Sequence, residues 1–163
     1  MSFKVFLSYS VDSDEQSIVW RLQTLAAAHG IEVFVPQRQG FRLPSSRVPL
    51  LGESVRTAID RSDCVLAIIT SRTAAAVEKE LSYALGRKKL IVPLVQDSIR
   101  DSAFFGKFPR VFRFSPFQPP GKIESEVVEF LKQQKASKET QQVLGAVIAI
   151  GLSMFLLSAV SQE

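Results

Sequence analysis

Through the first 131 residues the hydrophobic positions switch repeatedly between two spacings. Short runs that are apolar at nearly every position alternate with longer stretches in which apolar residues recur every three or four. That alternation is expected of a parallel sheet covered by helices on both faces. Phe3 to Ser8 (FKVFLS) predicts the first strand. A helix follows, with Ser13 as its N-cap, Gln16 completing a capping box, and Asp14 and Glu15 complementing the helix dipole. Ile18, Leu22, Leu25 and Ala26 form its inner face, and Gly30 ends it.

Ile31 to Val35 (IEVFV) reads as the second strand. An irregular stretch from Pro36 to Pro49 follows, carrying Gly40 and Pro44 as well, and a loop of that length is usually functional or disordered. A short helix with Leu51, Val55 and Ile59 turned inward leads to the third strand, Cys64 to Ile69 (CVLAII). Thr73 to Leu85 is the next helix, and Leu90 to Val95 (LIVPLV) the fourth strand, where Pro93 is an awkward resident because it donates no ladder hydrogen bond. After a loop holding Phe104, Phe105 and Phe108, Val111 to Phe114 makes a short fifth strand. Ile123 to Lys132 is the last helix, burying Ile123, Val127, Phe130 and Leu131.

Residues 1–132 therefore form one α/β domain, with a flavodoxin-like five-stranded parallel sheet and helices on both faces. Residues 133–142 are polar and Lys-rich, a linker or a continuation of the last helix. The chain then changes character. Val143 to Val160 reads VLGAVIAIGLSMFLLSAV, eighteen residues without a charge. At about 1.5 Å per residue these reach roughly 27 Å, close to the thickness of a bilayer's hydrocarbon core. The run predicts a single transmembrane helix, with a buried core helix as the alternative. Lys132, Lys135 and Lys138 precede it and no basic residue follows, which places the N-terminal domain in the cytoplasm.

The single cysteine, Cys64, forms no internal disulfide, in keeping with a reducing compartment. A net charge of +4 is spread along the chain without a recognised nucleic-acid motif, so anionic lipid explains it more simply than nucleic acid does. No metal-ligand spacing exists, because the chain has one His and one Cys. His29 suits the end of a helix better than a catalytic triad. No glycine-rich phosphate fingerprint appears.

In this fold ligands bind beyond the carboxyl ends of the strands, where strand order reverses. Ser8, Tyr9 and Ser10, then Pro36 to Gly40, then Thr70 and Ser71 would border that crevice. The candidate chemistry there is carboxylate. Glu80 stands in the run Glu78-Lys79-Glu80-Leu81-Ser82-Tyr83-Ala84-Leu85, at the border of a stripe formed by Val77, Leu81 and Ala84, and periodicity alone favours a solvated helix charge.

Several segments together resemble the Toll/interleukin-1 receptor (TIR) domain over roughly Phe3 to Leu131. Val5-Phe6-Leu7-Ser8-Tyr9-Ser10 resembles its first box, and His29 to Phe34 the turn into its second strand. Pro36 to Leu51 occupies the place of its self-association loop, and Ala58 to Leu66 resembles the segment before its active-site helix. Glu80-Leu81 falls where NAD-cleaving members carry their catalytic glutamate. Two departures are visible: Ala75 to Lys79 stand where the family often has Trp-Cys, and Ser10 stands where some members have a basic residue.

The resemblance implies an NAD glycohydrolase or cyclase with Glu80 as catalytic residue and NAD as substrate, not as cofactor. Tyr9, Ser10, Arg38 and Ser71 would be substrate-binding candidates, although packing, a turn and a solvated charge are the plainer readings of Tyr9, Ser10 and Arg38. It also implies self-association, contact with other TIR proteins and a defence role. Gly145, Ala149 and Ser153, four residues apart, offer a small-residue face through which membrane helices can pair. A non-catalytic, membrane-anchored TIR adaptor is one alternative. Another is a nucleoside deoxyribosyltransferase-like enzyme, whose family has an aspartate pair like Asp60 and Asp63 before a strand and a catalytic glutamate in a Glu-Leu-x-Tyr-Ala context.

Overall fold

The computed structural model describes residues 2–10, 13–36, 51–71, 75–100 and 102–144. Its elements are β1 (Phe3–Ser8), α1 (Ser13–Ala27), β2 (Ile31–Phe34), α2 (Glu53–Asp60), β3 (Cys64–Ile69), α3 (Ala75–Gly86), β4 (Leu90–Gln96), α4 (Ser102–Phe105), β5 (Phe112–Phe114) and α5 (Lys122–Leu144). The strands form one sheet in the order β2-β1-β3-β4-β5. Every pairing is parallel. Order reverses between β1 and β3, and in folds of this kind the ligand crevice is expected beyond the carboxyl ends of those two strands.

Strand residues of alternating parity build two cores. Val5 and Leu7 of β1, Leu66 and Ile68 of β3, and Val92 and Leu94 of β4 pack with Ile18, Val19 and Leu22 of α1 and with Val127, Val128 and Leu131 of α5. On the opposite face Phe6, Val65, Ala67 and Ile91 pack with Ile59 of α2 and with Val77, Leu81 and Ala84 of α3. Burial of β3 and β4 on both faces explains their unbroken apolar runs. β5 reaches β4 only from Leu94 onward, so Pro93 stands where β4 is paired with β3 alone.

Gly30 ends the α1 turn with φ +68°, a conformation that favours glycine. Lys135 Nζ donates to the His29 carbonyl at that same end. Lys138 Nζ forms an ion pair with Asp63 and donates to the Ser2 carbonyl. The polar stretch expected as a linker or a helical continuation is therefore helical through Leu144, and two lysines tie it back to the amino-terminal rim of the sheet. Among the described residues no helix is long and apolar enough to cross a membrane. The expected span from Val143 to Val160, with Gly145, Ala149 and Ser153, lies beyond Leu144 and so outside the described residues for nearly all its length.

That same rim holds a charge network. Tyr83 Oη and Arg87 Nε donate to the Asp60 carboxylate at 2.9 and 2.7 Å, and Lys89 Nζ donates to the carbonyls of Asp60 and Ser62. Desolvation opposes ionisation of Asp60. The Tyr83 hydroxyl and the Arg87 and Lys89 charges together outweigh it and hold the carboxyl below its usual range. A depressed folded-state value stabilises the fold above the unfolded-state pKa of about 3.9 and stops doing so as pH falls through the folded-state value. Asp60→Asn is thus expected to lower the thermal midpoint by a constant amount above about pH 5, with the gap to wild type closing below about pH 4. Thermal melts across that range check it, and a gap that widens in acid would contradict it.

Candidate active site

Strand parity decides what the end of β1 offers to each side of the sheet. Phe6 belongs to the core under α2 and α3, so Ser8, two residues on, points to the same side. α3 runs back from the carboxyl rim, and its inner stripe is Val77, Glu80, Leu81 and Ala84. The stripe brings Glu80 onto Ser8: Ser8 Oγ donates to Glu80 Oε2 at 2.5 Å. Ser8 is fully buried and Glu80 is 2 % exposed. A buried carboxylate is costly unless it is hydrogen-bonded, and the serine supplies one such bond.

A second buried carboxylate reaches the crevice from the other face. Glu15 was expected to complement the dipole of α1, yet it is 2 % exposed. Its Oε2 accepts the Ser10 backbone N–H at 2.6 Å and its Oε1 accepts the Thr70 hydroxyl at 2.7 Å. Its spacing carried the signal, because Glu15 falls three, four and seven residues before Ile18, Val19 and Leu22, on the buried stripe itself. Ser8 was named only as a border of the crevice. A serine on a fully buried strand face, opposite a helix-stripe glutamate, is the pairing that sequence reasoning left unmade.

The other expected site residues separate. Tyr9 turns to the α1 and α5 face and packs in that core. Ser10 is buried and enters the network through its backbone N–H. Ser71 is exposed at the rim. Arg38, with most of the Pro36 to Pro49 loop, lies outside the described residues. A groove with a volume of about 730 Å³ runs between β2 and α2, lined by residues including Lys4, Phe34, Glu53 and Arg61, and Glu80 is not part of it.

Cys64 is fully buried, and desolvation, followed by the nearby Asp63 charge, pushes its thiol well above the usual range, so it is inert packing. No group of three or more His, Cys, Asp or Glu among the described residues is arranged to hold a metal ion. The aspartate pair of the deoxyribosyltransferase reading lies just before β3, at the amino-terminal rim of the sheet and opposite the rim that holds Glu80. Asp63 accepts the Lys4 N–H at 2.8 Å at the start of β1. Lys4 and Ser8 are four positions apart, roughly 13 Å at about 3.3 Å per strand residue.

Glu80 from one face and Glu15 from the other are thus both buried at the order reversal of a parallel sheet of the flavodoxin-like class. The TIR domain family model matches residues 5–118, and the chain belongs to that family. No curated protein sequence matches it closely enough to count as a relative. Among solved structures, the fold is similar to the RPS4 and RRS1 TIR domain heterodimer at TM-score 0.54 and 13% identity, covering 82% of this chain and 97% of that one. It is also similar to the CMP N-glycosidase BcmB of Clostridium botulinum at TM-score 0.52 and 18% identity, over 80% of this chain and 98% of that one. A flavodoxin-like domain from Synechococcus matches at TM-score 0.52 and 15% identity, over 82% and 99%. These likenesses establish the fold.

Proposed function

We propose that this chain is an NAD glycohydrolase or cyclase that breaks the nicotinamide–ribose bond, with Glu80 as its catalytic residue. The observation that carries the reading is the burial of the Glu80 carboxylate at the carboxyl rim, held by Ser8 beside the order reversal. As the C–N bond breaks, its electron pair leaves with nicotinamide, which departs as a neutral ring and needs no proton. The ribose passes through a cation-like state of the kind met in glycoside hydrolysis. Glu80 holds the ribose hydroxyls and stabilises that positive charge. Water then adds to the sugar carbon and releases a proton to solvent, giving ADP-ribose, or an adenine nitrogen adds to give the cyclic product.

With Glu80 only 2 % exposed, ribose reaches it only after the rim opens. We assign that step to self-association through the TIR domain and the Pro36 to Pro49 loop. Membrane attachment through Val143 to Val160, with the domain in the cytoplasm and Gly145, Ala149 and Ser153 pairing the helices, would concentrate the chains; it rests on the sequence alone. A role in defence by NAD depletion follows from the TIR reading.

The test is to incubate the full-length chain with NAD, with CMP and with deoxynucleosides, and to follow released base as protein concentration rises. Nicotinamide release from NAD, increasing more steeply than protein concentration, is the expected result. Release from CMP or deoxynucleosides alone would replace NAD as the substrate. No release at any concentration, with binding to other TIR domains retained, would leave the adaptor reading.

A further inference from the structure

A leucine at position 15 would continue the stripe of Ile18, Val19 and Leu22; a carboxylate is there instead. A buried polar group that breaks a local pattern often marks a functional site. Here both of its oxygens have a defined use. Ser10 follows β1 and Thr70 follows β3, the two strands between which the order reverses. Glu15 accepts a hydrogen bond from each, at 2.6 and 2.7 Å, and so cross-links the two lips of the crevice. The lip on β1 is three residues long, Ser8-Tyr9-Ser10. Its far end is tethered by Glu15 from the α1 side, and its near end holds Glu80 from the α3 side through the Ser8 hydroxyl.

We propose that Glu15 is a positioning residue for the reaction assigned to Glu80: it fixes the β1 lip against the β3 lip and thereby sets where Ser8 aims the Glu80 carboxylate. The inference rests on the proposed NAD chemistry for its kinetic readout, while its structural content stands on the two hydrogen bonds. Displacing a catalytic group by about 1 Å can cost up to about 100-fold in rate, so loss of the cross-link acts on turnover, with little effect on substrate affinity.

Four variants of the full-length chain test it. Glu15→Ala removes both acceptors and is expected to lower kcat for nicotinamide release about 30-fold with KM changed less than about threefold. Glu15→Gln can keep both contacts, its amide oxygen accepting from Ser10 N–H and its NH₂ donating to the Thr70 hydroxyl, and is expected to stay within about threefold of wild type. Thr70→Val is expected to lose about fivefold in kcat, and Thr70→Ser to lose nothing measurable. Wild-type kcat in Glu15→Ala would overturn the proposal. So would a folded Glu15→Gln as impaired as Glu15→Ala, because the negative charge itself would then be required.

If Glu15→Ala does not fold, the Thr70→Val and Thr70→Ser pair decides, and equal kcat values overturn the proposal. Amide hydrogen exchange at Ser10 separates its failure from failure of the NAD reading. Even in a chain that releases no nicotinamide, exchange that is faster in Glu15→Ala, or in Thr70→Val where alanine does not fold, and protected in Glu15→Gln supports the cross-link. Unchanged exchange in every variant contradicts it.

Discussion

Glu80→Gln is expected to lower nicotinamide release from NAD by a factor of about 10² to 10³ while leaving the thermal midpoint within a few degrees of wild type. The substitution keeps shape and keeps an oxygen that can accept the Ser8 hydroxyl. What it removes is the negative charge. In a buried crevice a single preorganised electrostatic contact to developing charge supplies about 2.7–4 kcal/mol, which sets the expected loss. Stability should change little, because replacing a buried carboxylate by an amide of similar volume also removes a desolvation cost. The measurement is kcat and KM for released nicotinamide, with a melt on the same preparation. A large fall in melting temperature alongside the lost activity would make Glu80 a structural residue instead.

Arg21→Ala carries the largest expected effect on stability. Arg21 Nε donates to Glu124 Oε1 at 2.7 Å and ties α1 to α5; Glu124 is 1 % exposed and Arg21 40 %. Glu124 Oε2 is buried without a hydrogen-bond partner. Removing the arginine strands a buried carboxylate with its remaining ion pair gone. Breaking a fully buried pair costs about 3–5 kcal/mol, and the half-exposed arginine brings this to about 2–3 kcal/mol. For a domain of this size that is a fall of roughly 10 °C in the thermal midpoint. Glu124→Gln should be much milder, and adding it to Arg21→Ala should restore most of the loss, because the stranded charge is what costs. If the double variant melts no higher than Arg21→Ala, packing of the arginine stem is the larger contribution.

Glu15, Glu80 and Glu124 show how much of the site was legible in the sequence. Each lies at helical spacing from buried apolar neighbours: Glu15 before Ile18 and Leu22, Glu80 between Val77 and Ala84, Glu124 before Val127 and Leu131. Periodicity places them correctly, but residue type says solvent, and for Glu15 residue type prevailed. The pairing of Ser8 with Glu80 spans 72 positions, so nothing local announces it.

The sheet was legible because β1, β3 and β4 are apolar almost throughout, and strand parity then follows from the period of two. α4 was not, since four residues around Phe104 and Phe105 are too few to show a helical period. Residues 133–144 lack an apolar stripe; their helix is tied down by Lys135 on the His29 carbonyl and Lys138 on Asp63, contacts made across 106 and 75 positions of the chain.

The most direct measurement is a structure of the full-length Glu80→Gln variant soaked with NAD. A side chain at position 80 within hydrogen-bonding distance of the ribose hydroxyls, with nicotinamide still attached between the ends of β1 and β3, is the predicted result. NAD seated away from that crevice, or a crevice that stays closed over position 80 at saturating NAD with the chains associated, would contradict it.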